Sequence, residues 1–482
     1  MRVLEQLEPK NVLSFFEDLC AIPHGSGNTK AISDYCVKFA ESRGLEVHQD
    51  GLNNVVIVKP ATPGYEAAPT VIVQGHLDMV AEKTPDSPIN FLTDGLELEV
   101  DGDFIRAKGT TLGGDDGIAV AMALAVLDAK DLSHPRLECL FTIDEETGMD
   151  GAVGFDASIL QGKRLLNIDS EEEGILTVSC AGGAHAAVRI PMTANECALD
   201  SAEIRISGLK GGHSGAEIDK GRANATITLG RVLQALVDEL EVRLVSAEGG
   251  LKDNAIPNAA RAVIALEDGK LPRAQEICAE LQDTFRREYA AADPDVTVTF
   301  TPGTVASQAL TLRDTKKVCC FLGLYPNGIE SMSMDIPGLV QTSCNLGIFK
   351  VNGSGLEGSG SVRSSIASRK QLLLRRIGLL AEGLDGTLCA SGEYPAWEYR
   401  RESHLRDVMC KVYKDQYGQD MKVEAIHAGL ECGLFCGKIP GLDAVSFGPN
   451  LYDIHTTSER MSISSVQRVY AYLCAVLQAL KD

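Results

Sequence analysis

The sequence predicts an α/β protein: a discontinuous domain with a mixed, largely parallel sheet flanked by helices, and an α+β domain inserted into it. Three observations carry that prediction. Helical and strand-like segments alternate over the first ~180 residues. Several of the strands are continuously apolar, as strands buried on both faces are. The middle of the chain changes character, and the last ~80 residues return to the opening style.

Taken in order, residues 9–20 and 28–43 have helical periodicity. The β-rich runs VVIVK (from 55) and TVIVQ (from 70) follow. An Ala-rich helix spans 116–129, then strands at 137–143 and 165–168. Residues 183–206 alternate like strands with one wet face. Helices at 221–241 and 272–289 accompany strands at 260–266 and 295–300, and a similar set recurs across 310–385. Strands with helices on one face make an α+β insert, with the character of two related halves. The end of the chain supplies a helix at 404–416, a strand at 443–446 and a helix at 464–480. The expected organisation is a discontinuous domain of 1–182 and 396–482, with 183–395 inserted. Gly392-Glu393-Tyr394-Pro395-Ala396-Trp397 is the return linker.

Composition narrows the function classes. The 482 residues are 44% apolar and 23% charged, enough for a large core and against disorder. The net charge of −22 without a long basic block excludes nucleic acid as an expected partner. It favours cations instead. No apolar run reaches ~18 residues, so no membrane span is expected. The N-terminal MRVLEQLEPKNVLSFFEDL lacks the apolar stretch and cleavage site of a signal peptide. The 14 cysteines are scattered through apolar segments without a CxxC. They read as small buried hydrophobes of a reducing, cytoplasmic compartment.

Five motifs carry chemistry. Gly75-His76-Leu77-Asp78 follows a strand, and period-2 alternation lets His76 and Asp78 point the same way. Leu112-Gly113-Gly114-Asp115-Asp116-Gly117 leads into the Ala-rich helix, whose dipole favours acids at its start. Asp144-Glu145-Glu146 ends another buried strand, where a cation, shared protons or solvent would relieve the repulsion. Asn167-Ile168-Asp169-Ser170-Glu171 ends a third. Asp453-Ile454-His455 comes late in the chain. Each alone also fits a solvated strand end or a helix cap. Together they recur where strands end, and that is where open α/β sheets gather ligands. His76, Asp115, Glu146, Asp169 and His455 make a nitrogen–oxygen donor set suited to Zn²⁺ or Mn²⁺. One carboxylate shared by two ions would give a two-metal centre.

The order of these motifs resembles the two-zinc exopeptidases of the aminoacylase and carboxypeptidase G2 type. GHLDMV, TTLGGDDGIAVA, SGLKGGHSG and HAGLECGLF are similar, more narrowly, to its aminoacyl-histidine dipeptidase branch. The resemblance implies that Asp115 bridges two Zn²⁺, with Co²⁺ or Mn²⁺ as alternatives. His76 and Asp169 complete one site; Glu146 and His455 complete the other. Asp78 fixes the His76 ring, and Glu145 is the general base toward a hydroxide bridging the ions. The resemblance also implies that the insert is a lid and dimerisation domain, whose His213 reaches the partner subunit's active site in a homodimer and polarises the scissile carbonyl. Asn254 and Arg363 hold substrate, and Glu431 receives its free amine. The implied substrate is a small peptide, with Xaa-His dipeptides such as β-alanyl-histidine within range.

Two other readings use the same residues: an N-acyl-amino-acid amidohydrolase with the same metals, and a non-catalytic scaffold of the same fold. Retention of the ligand set plus Glu145 speaks against the scaffold. Gly353-Ser354-Gly355-Leu356-Glu357-Gly358 matches GxGxxG, but a strand-like run follows where a phosphate-binding helix is required. A glycine-rich hairpin is expected there instead. HExxH, GxSxG and GxxxxGK[ST] are absent.

Overall fold

The computed structural model describes residues 2–482. The chain forms two compact units. The first comprises Met1–Ser179, Tyr399–Ala425 and Leu430–Asp482; the second comprises Cys180–Glu398 and Ile426–Gly429.

The first unit is built on an eight-stranded sheet. Its order is Glu46–Gln49, Val55–Lys59, Leu137–Thr142, Val71–His76, Arg164–Asn167, Asp443–Ser446, Ile175–Cys180 and Lys422–Ile426. The four central strands, from Leu137–Thr142 to Asp443–Ser446, pair parallel, and antiparallel pairs flank them. Parallel pairing puts their carboxyl ends on one edge. Register there is tight: His76 lies opposite Thr142, and Gln74 opposite Asn167. The strands Val71–His76 and Leu137–Thr142 are buried at every position, which explains their largely apolar character. Helix Gly114–Asp128 is also buried along its length up to Leu127, so it is apolar all round instead of amphipathic.

The second unit contains a ten-stranded sheet whose pairings are all antiparallel. Helices Ala225–Glu239, Leu271–Glu288, Leu312–Leu324 and Ala367–Gly383 share one apolar cluster with alternate strand residues such as Ala186, Ile204, Ile264 and Leu346. The residues between them, such as Arg205 and Arg261, are exposed. That period-2 division is why the segment reads as one-sided strands. Strands Val340–Asn352 and Gly355–Ser364 pair across Asn352 and Gly355, so the GxGxxG stretch is a hairpin. Among the described residues no helix is long and apolar enough to cross a membrane.

Candidate metal centre

The strand edge of the first unit collects the predicted ligands. His76 closes its strand and is buried. Its Nδ1 lies 2.9 Å from the Asp78 carbonyl oxygen and 3.5 Å from Asp78 Oδ1. Nε2 therefore faces the centre, 3.4 Å from Asp115 Oδ1 and 3.7 Å from Asp169 Oδ1. Asp115 Oδ2 lies 3.1 Å from His455 Nε2, which is 2.9 Å from Glu146 Oε1. Two groups with ligand atoms within 4.8 Å of one another result: Asp115, Glu146 and His455, and His76 with Asp116 and Asp169. A third, His76 with Glu145 and Glu146, brings Glu145 within the same reach. Asp116 is already committed, since its Oδ2 accepts from the His76 backbone N–H at 3.1 Å. The peptide between Asp115 and Asp116 is cis.

Asp78 does more than the sequence suggests. Its Oδ2 accepts from Ser26 Oγ at 2.8 Å, and its carboxylate accepts the backbone N–H groups of Glu145 (3.1 Å) and Glu146 (3.4 Å). One buried carboxylate thus holds the loop that carries both glutamates, while its own carbonyl holds the His76 ring.

The charge pattern fits a cation. Burial pushes the Asp169 carboxyl well up, and Asp116 adds repulsion. Burial pushes Glu145 up to about 7 against the pull of His76, with Glu146 and Asp115 adding repulsion. Burial opposes ionisation of Asp115 too, but hydrogen bonds from His455 and His76 outweigh it and hold its carboxyl far below the usual range. Asp169 Oδ2 is buried without a hydrogen-bond partner. Clustered carboxylates, two imidazoles and an orphaned oxygen are what a divalent metal with nitrogen and oxygen ligands would satisfy.

The second unit holds its own polar cluster. His213 lies on the short strand Gly212–His213, opposite Ala255. Its Nδ1 accepts from the backbone N–H groups of Ala216 (3.0 Å) and Gly215 (3.3 Å), so the neutral ring carries its proton on Nε2. Burial and the Arg363 charge lower its pKa, which keeps it neutral. The Asn254 carbonyl accepts from Ser214 N at 2.9 Å, placing Asn254 beside this turn. Arg363 donates to the Tyr394 hydroxyl at 3.0 Å, and its buried Nε has no partner. Gly215 is required here: a Cβ would lie 3.0 Å from His213 Cε1, 3.1 Å from Arg363 Nε and 2.8 Å from the His427 carbonyl.

The model of peptidase family M20/M25/M40 matches residues 72–479, from ahead of His76 to beyond His455. The chain is 34% identical to the cytosol non-specific dipeptidase of Escherichia coli, over 100% of this chain and 99% of that one. The chain belongs to this peptidase family. Within it, the crystal structure of the aminoacylhistidine dipeptidase of Vibrio alginolyticus superposes with a TM-score of 0.95 at 36% identity, covering 99% of this chain and 98% of that one. The aminopeptidase PepT of Bacillus cereus shares the fold, with a TM-score of 0.56 at 16% identity over 99% and 100% of the two chains.

Two polar residues of one motif in this M20-family chain are buried. Glu431 has no exposed surface, and its Oε2 accepts from Gln74 Nε2 (2.6 Å) and Thr142 Oγ1 (2.7 Å). These bonds tie it to the carboxyl-end edge of the sheet, where Thr142 lies opposite His76. Burial and the nearby Glu145 charge push its carboxyl up to about 8. His427, in the same motif, was given no role by the sequence. It is buried, shares a 2.7 Å hydrogen bond with Ser343 Oγ, and is pushed down to about 4 by burial and the Arg363 charge.

His427 makes acid sensitivity predictable. Its folded pKa lies below the ordinary ~6.5, so the unfolded chain takes up the proton first. The penalty begins as pH falls below ~6.5 and is complete near 4, reaching about 3 kcal/mol at 1.36 kcal/mol per unit. His427→Gln is expected to lose part of the acid destabilisation between those limits. Denaturant unfolding at pH 7 and pH 5 checks it; an identical pH dependence in the variant contradicts it.

Proposed function

We propose that this chain hydrolyses dipeptides at a two-metal centre, with aminoacyl-histidine substrates in its range. The single observation that carries the reading is the convergence of His76, Asp115, Glu146, Asp169 and His455 beside Glu145, in a chain of the M20/M25/M40 peptidase family. The names of two relatives, a non-specific dipeptidase and an aminoacylhistidine dipeptidase, support the substrate class.

His76 and Asp169 would hold one ion, Glu146 and His455 the other, and Asp115 both. Bound Zn²⁺ would acidify water and polarise the substrate carbonyl; Co²⁺ and Mn²⁺ suit the same donors. Glu145 takes the water's proton and delivers it to the leaving amine. Asp78 keeps Glu145 and Glu146 at their posts through their backbone N–H groups. His213 donates from Nε2 to the oxygen that becomes negative, in the manner of an oxyanion hole. Arg363, with an unpartnered Nε, binds the peptide's carboxylate, and Asn254 flanks it. In this reading His213 acts across a homodimer and the enzyme works in the cytoplasm, as the relative's name supports.

The test is histidine release from a panel of Xaa-His dipeptides, β-alanyl-histidine included. Release is expected from metal-loaded protein, lost with chelator and restored by Zn²⁺. Folded, metal-loaded protein that releases nothing from the panel overturns the aminoacyl-histidine specificity. Hydrolysis of N-acyl amino acids in its place would favour the amidohydrolase.

A further inference from the structure

We infer that Glu459 is a positioning residue that sets Asp115 against His455. The inference rests on the two-metal reading above and assigns a residue that none of the motifs contains.

Helix Gly114–Asp128 begins with backbone N–H groups that have no partner inside the helix. Such groups are ordinarily met by a side chain at the N-cap. Here the cap is Gly113, in the left-handed region at φ 66°, and it has no side chain to offer. The acceptor comes from the other end of the chain. Glu459 Oε2 accepts from Leu112 N (2.7 Å) and Gly113 N (3.1 Å), and Oε1 from Gly114 N (2.9 Å) and Asp115 N (3.4 Å). The carboxylate is 3% exposed. Gly114 leaves room for it: a Cβ there would lie 3.3 Å from Glu459 Oε1 and 3.2 Å from Leu451 Cδ2.

Both ends of this tie are ligand loops. Asp115 is the last of the four donors, and its Oδ2 is 3.1 Å from His455 Nε2. His455 precedes Glu459 by four residues in a loop braced internally. Thr456 Oγ1 donates to the Asp453 carbonyl at 2.7 Å, Ser458 N donates to Thr456 Oγ1 at 3.1 Å, and Glu459 N donates to the Thr456 carbonyl at 3.1 Å. A braced loop carries the position of its Glu459 anchor to His455. One carboxylate therefore fixes the backbone of one ligand and the loop of another. Partners of this kind orient metal ligands, and their loss typically costs 10–100-fold in metal affinity.

The test is calorimetric titration of Zn²⁺ into metal-free protein, with thermal unfolding as the control for folding. Glu459→Gln keeps the size of the side chain but turns one acceptor into a donor that faces backbone N–H groups. Wild type is expected to show two binding events. In Glu459→Gln the event that His455→Ala abolishes should weaken 10–100-fold, and the Co²⁺ absorption spectrum of that site should change. Excess metal should restore kcat without a change in KM. Glu459→Asp keeps the charge but is one methylene short, and it should weaken the same event if Glu459→Gln does not fold. Wild-type uptake of two ions with unaltered uptake by the folded variants overturns this inference alone. Failure of both variants to fold without metal also overturns it, because Glu459 is then a folding residue. A wild-type chain that takes up fewer than two ions overturns the two-metal reading and this inference with it.

Discussion

Glu145→Gln is expected to lower kcat by about 10²–10⁴, the usual share of a general base, while the bound metal stays in place. The side chain keeps its shape, and its backbone N–H keeps the 3.1 Å bond to Asp78. What disappears is the capacity to take a proton. Burial is the main force pushing the Glu145 carboxyl up to about 7, with the Glu146 and Asp115 charges adding to it and His76 opposing. Glu146 differs in its surroundings, because His455 Nε2 lies 2.9 Å away. In the proposed reading that contact makes Glu146 the ligand of the pair and leaves Glu145 the proton carrier. Glu145 does come within 4.8 Å of a His76 and Glu146 ligand atom, so the experiment discriminates. Metal content measured beside kcat separates the roles. Lost metal would make Glu145 a ligand, and undiminished turnover would remove it as the base.

The predicted ligands were legible because their motifs share a syntax. Three of them sit at or just beyond the carboxyl end of an apolar strand. The strands Leu137–Thr142, Val71–His76 and Arg164–Asn167 are parallel neighbours, so motifs far apart in sequence open on one edge. Hydropathy and motif position together place His76, the Glu145–Glu146 pair and Asp169 at strand ends without any knowledge of the fold; the choice of Glu146 over Glu145 as ligand comes from the family resemblance. The hairpin at Gly353–Gly358 was legible for a similar reason, since what followed it lacked helical periodicity.

What stayed hidden was mostly backbone chemistry. Glu459 works through four N–H groups up to 347 residues away, and no spacing of side chains encodes that. Asp78 is visible as a partner for His76, but its hold on the Glu145 and Glu146 backbone is not. The bonds of Glu431 to Gln74 and Thr142 were hidden too, because nothing in the flanking Leu430 and Cys432 announces them. A faint sequence signal existed: Gln74 and Thr142 are polar residues inside otherwise apolar strands, and buried polar side chains need partners.

Asp115→Ala is expected to remove both metals and reduce hydrolysis to background. In the proposed reading each of the other ligand candidates belongs to one side of the centre. His76 and Asp169 lie 3.7 Å apart, and Glu146 and His455 lie 2.9 Å apart. Asp115 alone touches both pairs, at 3.4 Å from His76 Nε2 through Oδ1 and 3.1 Å from His455 Nε2 through Oδ2. Its loss leaves two incomplete halves and removes the charge that separates two cations. A partner one shell further out accounts for 10–100-fold in affinity, so the bridging ligand should exceed about 100-fold at each site. His455→Ala provides the contrast, since it should lose one ion and keep the other. Asp116→Ala provides a second, because the Asp116 carboxylate is occupied with the His76 N–H and serves the backbone. Metal analysis of the three variants orders them: none bound in Asp115→Ala, one in His455→Ala, two in Asp116→Ala. If Asp115→Ala instead retained one ion at wild-type affinity while Asp116→Ala lost both, the bridge would belong to Asp116.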